Sequence, residues 1–155
     1  MLAWGAYVTG EIETYAGHRE RAEPHYVRAV DLARSSGATF IVGVATVGLL
    51  AARAQAGQVH EALRGYREVV DYFARTGNWP HLWVTLRNLA DLLRRLGDDE
   101  SAARLHAAAD QAPDAPAVDG AGPGLPAAPS TPVPARADVV ELARRAIDRN
   151  LPPWP

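Results

Sequence analysis

The chain has 155 residues, of which 48% are hydrophobic and 22% charged, and this composition and length predict one ordinary soluble domain. All 16 basic residues are arginine, and cysteine is absent. A P-loop lysine, a Schiff-base lysine, a catalytic thiolate, a disulfide and a cysteine zinc finger are therefore excluded. The formal net charge of −2 does not indicate general binding of polyanions, so no direct contact with nucleic acid is expected.

The N-terminal sequence MLAWGAYVTGEIE lacks the basic segment of a signal peptide and reaches Glu11 and Glu13 before any long apolar run. The most apolar stretch, residues 38–52, is shorter than the roughly 20 residues that span a bilayer. A buried helix is the better interpretation of that stretch. These features predict a cytoplasmic protein that does not bind membranes.

Glycine recurs with a period of 40 residues, at 17, 57 and 97 and again at 37 and 77. In the same register an alanine column is followed by a column of rings: Ala22, Ala62 and Ala102, then Tyr26, Tyr66 and His106. The small alanines would let the helices approach closely, so we expect the ring of Tyr66 to be buried between the two helices of its repeat. Glycine readily takes the left-handed conformation that ends a helix, so each period predicts two antiparallel helices. The first helix of each pair, helix A, is expected at 2–16, 39–56 and 80–96; helix B is expected at 19–36, 59–76 and 99–111.

This order of glycine, alanine, ring and small residue, with Gly10 at a small helix A position, resembles the tetratricopeptide repeat family over residues 1–112. The phrases AGHRERAEPHYVRAVDLARSSG and WVTLRNLADLLRRLGDDESAA are similar to the C-terminal sensor arm of actinobacterial LuxR-type and antibiotic-regulator-type signal-transducing ATPase regulators. Two departures are the longer period, where the family has about 34 residues, and the missing helix-ending proline. The resemblance implies an all-α, right-handed superhelical stack of three helix pairs, at 1–37, 38–77 and 78–112.

The C-terminal part has a different composition. Residues 113–136 contain seven prolines and three glycines, which predicts a disordered linker. An amphipathic helix is predicted at 137–150, with an apolar stripe of Val139, Leu142, Ala143, Ala146 and Ile147. This stripe could cap the third repeat, bind in the groove of the stack or meet another chain.

Catalytic and metal-binding patterns are not found in the sequence. His18 and His25 lie seven residues apart without the HExxH pattern of a zinc helix, and His106 occupies a packing column. Carboxylates two residues apart, such as Glu11 and Glu13, do not face one another on a helix. We therefore expect neither an enzyme nor a cofactor or metal site.

The resemblance implies that helix A lines a concave groove. Projected onto this register, the expected groove residues are Trp4, Tyr7, Glu11, Tyr15, Val44, Val47, Gln55, Arg87, Asp91, Arg94 and Arg95. Such a groove is aromatic at one end and arginine-rich at the other. Because the guanidinium group of arginine binds carboxylates and phosphates through paired hydrogen bonds, an acidic peptide is the expected ligand class. The alternative is that Trp4 and Tyr7 belong to a core whose preceding repeats are missing, and that the arginines are a solvated face.

The predicted function is that of a non-catalytic helical-repeat module that binds a protein, peptide or other ligand. The resemblance implies the sensor or interaction arm of a bacterial transcriptional regulator. The alternative is a structural repeat fragment that forms a homo-oligomer through its open repeat ends, because an uncapped repeat exposes the face that a neighbour would cover.

Overall fold

The computed structural model describes residues 1–116 and 134–153, and all regular secondary structure within them is α-helical. The seven helices are α1 (Leu2–Tyr15), α2 (Arg19–Ser35), α3 (Thr39–Gln55), α4 (Val59–Thr76), α5 (Trp79–Arg95), α6 (Asp99–Gln111) and α7 (Arg136–Asn150). The all-α prediction is confirmed, and each predicted helix agrees with the observed one to within one residue at either end. Of the predicted linker 113–136, residues 117–133 lie outside the described residues, and Arg136 already belongs to α7.

The periodic glycines end the first five helices. Gly17, Gly37, Gly57, Gly77 and Gly97 have φ angles of 80°, 70°, 85°, 71° and 88°. After each glycine, the next backbone N–H donates to the carbonyl five residues before it, as His18 does to Glu13 at 2.8 Å. This bond satisfies a carbonyl that the helix end leaves without an intrahelical donor. The conformation is one that residues with a Cβ rarely adopt, which explains why glycine stands at these positions.

The structure divides into two compact units, Met1–Val69 and Val70–Pro155, with the boundary inside α4. We call them unit 1 and unit 2 and describe each by itself. In unit 1, α2 packs against both α1 and α3, and α1 also contacts α3. None of the described helices is long and apolar enough to cross a membrane.

The core of unit 1 is built around Tyr26, which is 1% exposed. A Cβ placed on Gly10 of α1 would lie 2.8 Å from the Cε1 atom of this ring, and one on Gly48 of α3 would lie 2.6 Å from it. The two glycines therefore leave the space that the tyrosine fills. Tyr66, in the same ring column of the repeat, is also 1% exposed, which confirms the predicted burial.

In unit 2, α5 packs against α6, and α7 packs against both. The buried face of α7 consists of Val139, Val140, Ala143, Ala146 and Ile147. The predicted stripe is thus correct except that Leu142 is only half-buried and Val140 takes a buried position. Arg144 donates to Asp71 at 2.8 Å and Asn150 donates to Asp98 at 3.0 Å, so polar contacts flank the apolar face of α7.

Candidate interaction surfaces

The α1 residues that were predicted to line the groove differ in their exposure to solvent. Trp4 and Tyr15 are exposed, and Tyr7 is half-buried. The rings of Trp4 and Tyr7 have centroids 5.4 Å apart, and Tyr7 lies 6.2 Å from Tyr26. A row of three rings thus leads from the surface of α1 to the buried ring of α2, and only Trp4 and Tyr15 among the predicted α1 rings are open to a ligand.

Glu11 is an exposed residue whose carboxylate also has an internal role. The phenol of Tyr26 donates to Oε1 of Glu11 at 2.6 Å, and the Thr14 hydroxyl lies 2.9 Å from the same phenol oxygen. Burial, followed by the hydrogen bond to Glu11, raises the pKa of Tyr26 far above its ordinary value. Burial and the nearby charge of Glu11 also raise the pKa of Tyr7. Both phenols therefore stay protonated at neutral pH.

The groove residues predicted on α3 differ in exposure. Val47 is buried, Val44 is half-buried and Gln55, the last residue of the helix, is exposed. Only the amide of Gln55 offers a solvent-facing hydrogen-bonding group in this set. The part of the predicted groove in unit 1 is therefore mostly apolar, with Glu11 as its one acid.

The groove residues predicted on α5 belong to unit 2, and Arg87 is held by the chain that follows α6. Its Nη1 donates to the carbonyl of Pro116 at 2.7 Å, and its Nη2 donates to Asp110 at 3.2 Å and weakly to the carbonyl of Ala109 at 3.4 Å. The side chain is only 16% exposed. Arg87 thus fixes the exit of α6, which the sequence did not predict.

Asp91, Arg94 and Arg95 lie exposed near the C-terminal end of α5. Nη1 of Arg94 is 3.5 Å from Oδ1 of Asp91, and Nε2 of His106 is 3.0 Å from the same oxygen. Asp91 therefore neutralises part of the positive charge of this group. Arg94 and Arg95, both in the last turn of the helix, remain the most accessible cations of the predicted groove.

A cluster that sequence reasoning missed joins the two described ends of the predicted linker. Trp83 Nε1 donates to Oδ1 of Asp114 at 2.9 Å, and Arg136 donates to the other oxygen at 2.8 Å. The guanidinium of Arg136 also lies 4.6 Å from the ring centroid of Trp79. Nothing in the sequence around Trp79 and Trp83 indicated Asp114 or Arg136 as partners.

Unit 1 has a concave surface between α2, α3 and α4. Apolar residues such as Val30 and Leu50 line it together with charged residues of both signs: Asp31, Arg34, Arg53, Glu61, Arg64 and Glu68. Arg53 donates to Glu23 at 3.1 Å. Since three acids and three arginines line this cleft, it does not select for the charge of a ligand.

The histidines of the described residues make local contacts. Within the described ranges, no three or more His, Asp or Glu side chains are grouped closely enough to hold a metal ion. His18 pairs with Glu13 at 2.9 Å, and His81 contacts Asn78 at 2.7 Å, with burial lowering the pKa of His81. Each contact has a structural explanation as a helix-end or helix-entry interaction.

Comparison with known proteins gave no assignment. No protein-family model matches the chain, and neither the curated proteins nor the solved structures contain a match.

Proposed function

We propose that the chain is a non-catalytic helical-repeat module that binds a protein or peptide, and that it serves as an interaction arm of a bacterial transcriptional regulator. The observation that carries the proposal is the regular succession of left-handed glycines, at 20-residue intervals from Gly17 to Gly97, each closing one helix. Helices of similar length joined by equal turns favour a repeat stack, in which neighbours bury a continuous core.

The packing columns support the same proposal. Ala22, Ala62 and Ala102 are each 0% exposed, as expected if small residues let adjacent helices approach closely. Tyr26 and Tyr66 fill equivalent buried positions, and His106 takes the same place half-buried. On this basis we propose three antiparallel helix pairs stacked in a right-handed superhelix, with helix A lining the concave side.

The ligand class we propose is an acidic peptide that contacts Arg94 and Arg95. Both side chains are exposed and lie in the last turn of α5, where cations are favourable next to the helix dipole. Arginine binds carboxylates through two parallel hydrogen bonds. Arg87 does not belong to this contact surface, because its guanidinium already binds Pro116 and Asp110.

An array of immobilised peptides of differing net charge tests this proposal. We expect labelled protein to bind acidic peptides selectively, and the double variant Arg94→Glu/Arg95→Glu to lose that binding with an unchanged circular dichroism spectrum. The matched control, Arg19→Glu/Arg21→Glu, reverses two exposed arginines of α2 and should bind as the wild type does. Equal loss in both variants would show general charge attraction, and no loss in either would exclude Arg94 and Arg95 as the site.

A second candidate function is self-association. It is favoured by the exposure of several large apolar side chains on α1, namely Leu2, Trp4, Ile12 and Tyr15, and of Met1 directly before the helix. Exposed apolar patches of this kind mark interaction surfaces in soluble proteins.

A further inference from the structure

Helix α7 is fixed along its length by arginines that pair with acids from other segments of unit 2. At its start, Arg136 donates to Asp114, in the chain that follows α6, at 2.8 Å. In its middle, Arg144 donates to Asp71 of α4 at 2.8 Å. Each of these acids therefore marks a point on the edge of the area that α7 covers.

The C-terminal end of α7 makes a third contact of this kind, with the start of α6. Arg149 donates to the hydroxyl of Ser101 at 2.6 Å, and its guanidinium lies 3.5 Å from Asp98. Arg144 and Arg149 are five residues apart, which is about 140° around the helix, so they stand at opposite edges of its buried face. We call the area framed by Asp71, Asp98 and Asp114 the α7 surface.

The apolar face between these arginines is made of small side chains. It consists of Val139, Val140, Ala143, Ala146 and Ile147. The ion pair of Arg144 with Asp71 is partly open to solvent, with side chains that are 36% and 37% exposed. Pairs of this kind stabilise a fold little, but they select which helix fits. The positions of the arginines therefore carry much of the specificity of this contact.

We infer that the α7 surface is a docking site for an amphipathic helix of a partner protein, with arginines at both edges of its apolar face, and that α7 is its intramolecular occupant. The chemistry of the partner follows from α7, because the surface supplies carboxylates where α7 supplies guanidinium groups. The inference goes beyond the proposed function, since it concerns another surface and a ligand of opposite charge to the acidic peptide at Arg94 and Arg95.

The covalent connection of α7 to the rest of the chain gives it an advantage over any free helix. A partner helix must compete with α7 for the same carboxylates, so its apparent affinity is reduced by the fraction of chains in which α7 is docked. Variants that release α7 should therefore bind such a helix more tightly than the wild type does.

Substitution of Ala143 opens the α7 surface without altering it. Ala143 is 0% exposed, so Ala143→Arg places a guanidinium group in the buried face of α7 and expels the helix. We call this variant the opened chain. The probe is a fluorescently labelled synthetic peptide with the sequence of residues 134–151. Fluorescence anisotropy should show that it binds the opened chain about tenfold or more tightly than the wild type.

Charge reversal tests whether the arginine contacts specify the helix. Adding Asp71→Arg to the opened chain should weaken binding of the native peptide about tenfold, and a peptide with Arg144→Asp should bind this double variant in its place. The control peptide carries Arg145→Asp, at a side chain that is 71% exposed and pairs with Glu141 of the same helix at 3.0 Å. It should bind the opened chain as the native peptide does.

Circular dichroism shows whether the opened chain keeps its remaining helices. Arg144→Asp in the full chain, at a side chain that is 36% exposed, releases α7 more mildly and is measured in parallel. If both variants unfolded, α7 would be a constituent of the core of unit 2 and the inference would be overturned.

Three binding results would also overturn the inference. Equal binding of the native and Arg144→Asp peptides to every chain would show charge attraction without recognition. No binding of either peptide to a folded opened chain would mean that the α7 surface accepts a helix only when it is covalently attached. A 1:1 complex of the opened chain with the wild type at about 10 μM in sedimentation velocity would make a second copy of this chain, and not a partner protein, the donor of the helix.

Discussion

The phenol of Tyr26 donates a 2.6 Å hydrogen bond to the carboxylate of Glu11. It joins a ring that the repeat pattern predicts to be buried with a carboxylate that the same pattern predicts to face a groove. Because Thr14 also lies 2.9 Å from the phenol oxygen, the polar tip of the buried ring is satisfied at the edge of the core. The charge of Glu11 is therefore positioned by the core and is only partly available to a ligand.

Removing the hydroxyl alone tests this relationship. We expect Tyr26→Phe to lower the free energy of unfolding by about 1–2 kcal/mol, because the hydrogen bond to a charged group is lost while the ring stays in place. The control is Tyr15→Phe, at a ring that is 98% exposed, which should change stability by less than about 0.5 kcal/mol. Urea denaturation measures both. Equal effects for the two variants would mean that the bond to Glu11 contributes nothing.

The glycines of α1 are expected to respond to alanine with opposite signs. Gly10→Ala places a Cβ 2.8 Å from the ring of Tyr26 and should destabilise the protein by about 1–3 kcal/mol. Gly5→Ala meets open space and should stabilise by about 0.5–1 kcal/mol, since alanine is the better helix former. Thermal and urea melts at low protein concentration measure the difference. Stabilisation by both substitutions would show that Gly10 does not make room for Tyr26.

Arg87 and Arg94 stand two turns apart on α5 and are expected to differ in their effect on stability. Arg87→Met removes the bonds to Pro116 and Asp110 and should cost about 1–2 kcal/mol. Arg94→Met removes only an exposed pair with Asp91 at 3.5 Å and should cost less than about 0.5 kcal/mol. Chemical denaturation of both variants measures these two losses of stability. If Arg87→Met left the free energy of unfolding unchanged, the guanidinium of Arg87 would count among the groove cations available to a ligand.

Acid should weaken the attachment of α7 through Asp98. Burial alone would raise the pKa of Asp98, but hydrogen bonds from Ser101 and Asn150 and the charge of Arg149 lower it overall. A lowered pKa means that the stabilisation is complete above the unfolded-state pKa of about 3.9 and is lost as the pH falls from there through the folded-state pKa.

The corresponding measurement compares the wild type with Asp98→Asn, which keeps a capping side chain but removes the charge. We expect the wild type to be more stable by about 0.5 kcal/mol at neutral pH and the difference to shrink below about pH 4. Asp99→Asn, at an exposed neighbour, should retain the pH dependence of the wild type. A difference between the wild type and Asp98→Asn that does not change with pH would show that the ionised carboxylate makes no contribution.

The sequence by itself determined the local structure. Every helix end in the glycine series was predictable, because a left-handed residue is required there and only glycine takes that conformation without strain. The periodic ring column likewise predicted the burial of Tyr66, since a large apolar side chain at helical spacing among small residues must fill a core. Both inferences depend only on residues close in sequence or repeated at a fixed period.

The tertiary structure alone decided how residues with the same local pattern are used. Arg87, Arg94 and Arg95 crowd one broad face of a helix, yet only Arg87 meets the carbonyl of Pro116. The sequence also did not determine which face α7 covers, or that Asn150 of this helix contacts Asp98. Such contacts join segments far apart in the chain, and their partners are set by how whole helices pack. A period of 40 residues fixes where each helix begins and ends, but which distant side chain lies beside it depends on that packing.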